Sequence, residues 1–223
     1  MCQQLGDLIG QSCGDEQRSL IARRDRHLDH QKAHREEYCH NRHKAASKRN
    51  QMFDMSCIVD AAGGTGTTHL PRMNFQAKSE PERSDLLKVK SVFSKIHGLG
   101  TQIFLTYPNL YKEGANLALE AIYRSVRIFL QRRKVSRLRT LYVQMDNVSY
   151  NKCWTLFAGL SALISLEIVQ KVKVSYCVVG HTHEDVDAII GTVISHLRKR
   201  DIQSFTVFEE EVRKSINKHN AQV

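Results

Sequence analysis

Three aspartates stand where a chain can gather negative charge at one edge of a sheet. Asp60 ends the apolar run Cys57-Ile58-Val59. Asp146 ends Leu141-Tyr142-Val143-Gln144-Met145 and is followed by Asn147. Asp187 closes Gly180-His181-Thr182-His183-Glu184-Asp185-Val186-Asp187. Such a cluster is costly through like-charge repulsion unless a cation sits in it. Carboxylates suit Mg²⁺ or Mn²⁺, and two such ions between carboxylates promote phosphodiester chemistry. Asp60, Asp146 and Asp187 are therefore the candidate catalytic and metal-ligating residues. Glu184, Asp185 and His181 are alternates for the third place. Glu184 and Asp185 fall in the first turn of a helix, where the macrodipole favours acids whatever the chemistry. His183 is a candidate phosphate contact. His181, His183 and an acid also leave open a transition-metal hydrolase, a different enzyme class.

The surrounding pattern supplies elements to position these groups. Residues 15–50 are polar, with no Pro or Gly after Gly14, and predict one or two long helices forming an arm. His30 and His34 are four residues apart on it, a spacing a zinc site can use; solvent-exposed histidines are the default expectation. Met55 to Val59 predicts a short buried strand, followed by a Gly/Thr-rich loop from Ala61 to His69. That loop lacks the lysine of a nucleotide phosphate loop. Leu86–His97 and Thr101–Tyr107 predict strands joined at Gly98-Leu99-Gly100. Apolar positions 118, 122, 126 and 129 or 130 predict a helix over Asn116–Gln131. Leu138–Met145 predicts a strand, and Lys152–Val169 an apolar helix buried on most sides. Val172–Val179 predicts a strand apolar enough for a sheet interior, and Glu184–Arg198 an amphipathic helix. Thr206-x-x-Glu209 has the form of a capping box opening a last helix.

Strand, hairpin, helix, strand, helix, strand, helix is the element order of the ribonuclease H-like fold. The expected architecture is α/β: a mixed five-stranded sheet flanked by helices, with an N-terminal polar helical arm. The first and fourth strands would lie together at the centre, Asp60 and Asp146 ending them. The expected division is an arm over 1–50, the ribonuclease H-like domain over 51–205 and a C-terminal helix over 206–223.

The chain has 223 residues, a formal net charge of +10 and a pI of about 9.4, a balance that favours an anionic partner. Seven basic and no acidic residues lie between Arg124 and Arg139. Arg127, Arg132, Arg133, Lys134 and Arg137 from this run, with Asn147, Lys152 and His183, are the candidate nucleic-acid contacts. No apolar run reaches the ~18 residues of a membrane span. The first residues lack a secretory pattern, so the six cysteines are expected to be thiols. A nuclear or intracellular, unsecreted protein is expected.

Met145-Asp146-Asn147 with Asn151-Lys152, then Val179-Gly180-His181-Thr182-His183-Glu184-Asp185-Val186-Asp187, resemble a eukaryotic family of transposon-derived proteins with a DDE-transposase core. His97-Gly98 and Asn116 also fall where that family has His-Gly and Asn. The resemblance covers roughly residues 25–205. It implies a DDE-type nuclease or integrase ancestry, Mg²⁺ or Mn²⁺ at Asp60, Asp146 and Asp187, DNA as partner, and a homodimer. It also implies a longer N-terminal region, of which Cys2 and Cys13 would be the remnant. The family's Gly-Met-Asp-Gln after the first Asp is Ala61-Ala62-Gly63-Gly64 here, its following Lys falls at Gly66, and Cys153 replaces the last Asn of its Asn-Lys-Asn. A catalytically inactive nucleic-acid-binding or interaction module is thus an alternative expectation.

Overall fold

The computed structural model describes residues 2–61, 69–72, 86–106, 114–177 and 185–220. Two helices come first, α1 (Cys2–Gln11) and α2 (Gly14–Ala46). The strands are β1 (Asp54–Ala61), β2 (His69–Leu70), β3 (Leu87–Lys88), β4 (Lys90–Ile96), β5 (Gly100–Thr106), β6 (Leu138–Met145) and β7 (Val169–Tyr176). Helix α3 (Ala115–Arg133) precedes β6. A 3-10 turn (Ser149–Lys152) and α4 (Trp154–Ser165) separate β6 from β7. Helices α5 (Asp185–Leu197) and α6 (Phe205–Asn220) complete the order.

Five strands form one mixed sheet in the order β5-β4-β1-β6-β7, and β2 and β3 form a small separate ladder. The β4–β5 hairpin pairs antiparallel with β1, whereas β6 runs parallel to β1 and β7 parallel to β6. This is the ribonuclease H-like arrangement, with β1 and β6 adjacent near the centre. Gly98 (φ +79) makes the hairpin turn in left-handed backbone, which the lack of a Cβ permits.

Strand alternation sends side chains to two cores. Cys57 and Val59 of β1, with Val143 and Met145 of β6, pack under α3 and α4 beside Ile122, Phe129 and Leu160. Ile58 and Phe93 pack on the other face beneath α5 and α6, against Val186, Ile189, Ile190 and Phe208. The sheet is therefore a layer between two helical layers, as apolar faces on both sides require.

Three expectations change. The apolar segment after Lys152 forms a shorter helix that is not buried on most sides. Only Leu156, Leu160 and Leu163 of α4 are buried, while Trp154 is 89% exposed and Phe157, Ile164 and Leu166 are also exposed. The helix lies on the sheet with one stripe, and its outer side faces away from both cores. Strand β7 starts earlier than expected and lies at the sheet edge, paired with β6 alone. Exposed Lys171 and Lys173 alternate along it with half-buried Val172 and Val174, a pattern that suits an edge. Finally, α6 begins at Phe205, and Ser204 rather than Thr206 caps it. The Ser204 hydroxyl accepts the Val207 N–H at 3.4 Å, the Ncap-to-N3 geometry.

Candidate metal centre

The parallel register of β1 and β6 pairs Val59 with Met145, so Asp60 and Asp146 follow at the same end of adjacent strands. Val59 and Met145 point to the α3–α4 core. Asp60, within β1, follows the alternation toward the face covered by α5, and Asp146 lies just past the end of β6, beside the 3-10 turn that carries Asn151. Both carboxylates border a hollow also lined by Lys90, Tyr150 and Asn151.

Burial pushes the Asp60 carboxyl up from 3.8 to about 6, and the negative charges of Asp146 and Asp187 push the same way; an Ala61 N–H bond at 2.8 Å opposes them. The field at Asp60 thus registers all three sequence-selected aspartates. Asp146 is also raised by burial, against bonds from Asn151 and the Val148 N–H. Asn151, 3% exposed, donates Nδ2 to Asp146 Oδ1 at 2.6 Å and fixes that carboxylate. Its carbonyl in turn accepts the Tyr176 hydroxyl at 2.7 Å. The buried Asn151 Oδ1 has no hydrogen-bond partner among the described residues. Two carboxylates destabilised as anions and a spare amide oxygen form an all-oxygen donor set, which fits a hard divalent cation. Among the described residues, no three His, Cys, Asp or Glu side chains are gathered as a metal cluster.

Asp185 is placed differently. Its Oδ1 accepts the Tyr38 hydroxyl at 2.7 Å, and its Oδ2 lies 3.1 Å from Lys95 Nζ, 3.3 Å from His97 Nε2 and 3.5 Å from Arg42 Nη1. Burial pushes this carboxyl up, but bonds from His97 and Tyr38 and the charges of His97 and Lys95 outweigh it. The net result is a carboxyl well below its usual range. Tyr38 Oη also meets His97 Nε2 at 2.9 Å, and His97 Nδ1 meets Ser56 Oγ at 2.9 Å. Asp185 therefore fastens α2, β1 and β4 to the start of α5, two residues before Asp187.

The basic candidates occupy the other end of the sheet. Arg133 donates Nη2 to Gly98 O at 3.2 Å, at the hairpin turn beside the beginning of β1, and its guanidinium lies over Phe129. Lys134, Arg137 and Arg139 border a hollow at that end with Phe53 and Gln170. Arg127 and Arg132 are exposed on α3. Near the acids, Asn147 is half-buried, and exposed Lys152 lies over Tyr176, with Nζ 5.1 Å from the ring. His181, His183 and Glu184 lie outside the described residues, as does the Gly63–Thr68 loop. Lys90, Tyr150 and the Tyr38–His97–Lys95 contacts to Asp185 were not selected from sequence as site residues. The nearest signals were the His97-Gly98 pair and the segment following Asp146-Asn147.

The fold and the paired acids define a ribonuclease H-like domain with carboxylates at its central strand ends. The chain belongs to the DUF7869 family, a domain of unknown function, which it matches over residues 80–223. No curated protein matches it. Among solved structures it is similar to a Mos1 strand transfer complex, at 13% identity and a TM-score of 0.47, covering 97% of this chain and 70% of that one. It is also similar to a Mos1 transposase paired-end complex with left transposon end, at 11% identity and a TM-score of 0.44, covering 97% and 71%. A mariner Mos1 paired-end complex with Mg is similar at 13% identity and a TM-score of 0.38, covering 84% and 54%.

Proposed function

We propose that this chain is a transposase-derived domain that acts on DNA, cleaving or joining phosphodiesters with Mg²⁺ or Mn²⁺ at Asp60, Asp146 and Asp187. The observation that carries this reading is the placement of Asp60 and Asp146 at matching ends of adjacent parallel strands, with the Asp187 charge felt at Asp60. The motif resemblance and the net charge of +10 support DNA as the substrate. A divalent ion at such a site supplies Lewis acidity to the attacking and leaving oxygens. Asn151 orients Asp146, and Lys90 lines the same hollow as both acids. Asp187 is the third ligand in preference to Asp185, because Asp185 is spent on Tyr38, Lys95 and His97. A nuclear location and a homodimer belong to the same reading.

The test is divalent-ion-dependent nicking of plasmid DNA by the wild type and Asp146→Asn. The expected result is cleavage by the wild type alone; equal cleavage by both removes the site.

A second reading is a catalytically silent DNA-binding module. It is favoured by Ala61-Ala62-Gly63-Gly64 after Asp60. It predicts DNA binding that weakens steeply with salt, without product. Replacing Arg132, Arg133 and Lys134 with Gln together tests whether the hairpin end of the sheet carries that binding.

A further inference from the structure

Helix α2 contains 33 residues, yet its buried residues are Tyr38, Asn41 and Ala45, all in its last third. Upstream of Tyr38 no described residue of the helix is fully buried, and α2 packs against α1. A helix with so little tertiary support is marginal in water. In this thinly supported stretch stand His30 and His34, one turn apart. Their Nε2 atoms are 3.2 Å from each other, the ring centroids are 4.5 Å apart and the ring planes are nearly perpendicular at 83°.

That separation can be compared with a chelate. Two imidazole nitrogens on one tetrahedral ion at about 2.0–2.1 Å stand roughly 3.3–3.4 Å apart. Head-on contact between two rings, nitrogen to nitrogen, would put the centroids about 1 Å farther apart than they are, given an imidazole's size and the preferred linearity of such a bond. The rings therefore meet at an angle rather than end to end. Without a metal, one imidazole must donate an N–H and the other accept it; an ion takes both lone pairs and needs no proton between them.

We propose that His30 and His34 form a binding site for a transition-metal ion of the Zn²⁺, Cu²⁺ or Ni²⁺ class, with water completing its coordination. Neutral imidazole suits these ions, whereas Mg²⁺ favours oxygen donors. The site is distinct in position and chemistry from the Asp60–Asp146 pair and does not rest on the DNA reading. Closing a ring across one turn stabilises the helical form, because an ion that binds the folded arrangement shifts the equilibrium toward it. The consequence is an arm stiffened by a transition metal between the part held by α1 and the part held by the sheet.

The experiment is calorimetric titration of the full chain with Zn²⁺ in excess Mg²⁺, with hydrogen exchange followed over residues 26–38. The variants are His30→Gln, His34→Gln and, as a control on the same helix, His40→Gln. His30 and His40 are exposed and His34 is half-buried, with none of the three in either core, so folding is preserved. The expected result is one Zn²⁺ equivalent whose affinity falls at least tenfold in either His30→Gln or His34→Gln and is unchanged in His40→Gln. Zn²⁺ should slow exchange over 26–38 in the wild type and not in the two site variants. Wild-type protein that takes up no such equivalent, or site variants that bind Zn²⁺ as tightly as wild type, would overturn the proposal.

Discussion

Asp60→Asn should make the ion-free protein more stable while removing a proposed metal ligand. Burial, with the charges of Asp146 and Asp187, raises the Asp60 carboxyl from 3.8 to about 6. At about 1.4 kcal/mol per pH unit, keeping it ionised at pH 7.5 costs on the order of 3 kcal/mol. A carboxyl raised in the folded state contributes its stability in full below pH 3.8 and loses it as pH rises through about 6. Wild-type stability from this group therefore declines across that window, and the Asn variant lacks the decline. Asparagine keeps an Oδ1 to accept the Ala61 N–H, so the local turn survives. The assay is urea denaturation with a chelator at pH 4.5 and 7.5. The variant should gain roughly 1–3 kcal/mol over wild type at the higher pH and much less at the lower. Added Mn²⁺ should reverse the order, since an ion at a hundredfold its Kd stabilises its binder by about 2.7 kcal/mol. A variant less stable than wild type at pH 7.5 without ions refutes the electrostatic reasoning. Equal stabilisation of both proteins by Mn²⁺ refutes the ligand assignment.

Other perturbations test the scaffold. Tyr38→Phe removes the hydroxyl shared by His97 and Asp185 and should cost about 1.5–3 kcal/mol, as expected for a bond to a charged group. Hydrogen exchange at the start of α5 should quicken with it, and unchanged exchange would separate Tyr38 from the placement of Asp187. Arg139 grips buried Asp54 through Nε at 2.9 Å and Nη2 at 2.8 Å. Arg139→Met should destabilise the fold by stranding that charge, and adding Asp54→Asn should recover part of the loss in a double-mutant cycle. At Gly159 a Cβ would fall 2.6 and 2.7 Å from the Leu119 methyls. Gly159→Ala should therefore lower the melting temperature, because overpacking of about 1–3 kcal/mol exceeds the helical gain of about 1 kcal/mol from removing a glycine.

The strand ends were legible because the evidence for them is local. Apolar runs of strand length stop at Asp60 and Asp146, and the alternating elements leave few topologies in which those ends do not meet. Leu138–Met145 matches the observed β6 at both ends. The burial of the α4 segment was not legible, since an apolar composition states what a helix can bury and not how many layers are present to cover it. Trp154 makes the point: an aromatic at the head of an apolar run is nearly fully exposed. The edge position of β7 escaped for the same reason, because neighbouring strands are a property of the sheet. The Asp185 network joins residues 147 and 59 positions apart along the chain. No spacing rule spans such separations, so this network around the start of α5 could not be read from the chain.

The separation of acids and bases along the strands gives the chain an electrical direction. Carboxylates gather where β1 and β6 end, and guanidinium and ammonium groups gather where those strands begin, roughly 20 Å away for strands of this length. Such a body near a polyanion experiences a torque as well as a pull, and it turns its hairpin end inward. The Asp60–Asp146 end then points away from the attracting surface, and the divalent ions proposed to bind there would weaken the moment. Ionic conditions thus govern the angle of encounter as well as its strength, and a measured association rate carries information about orientation.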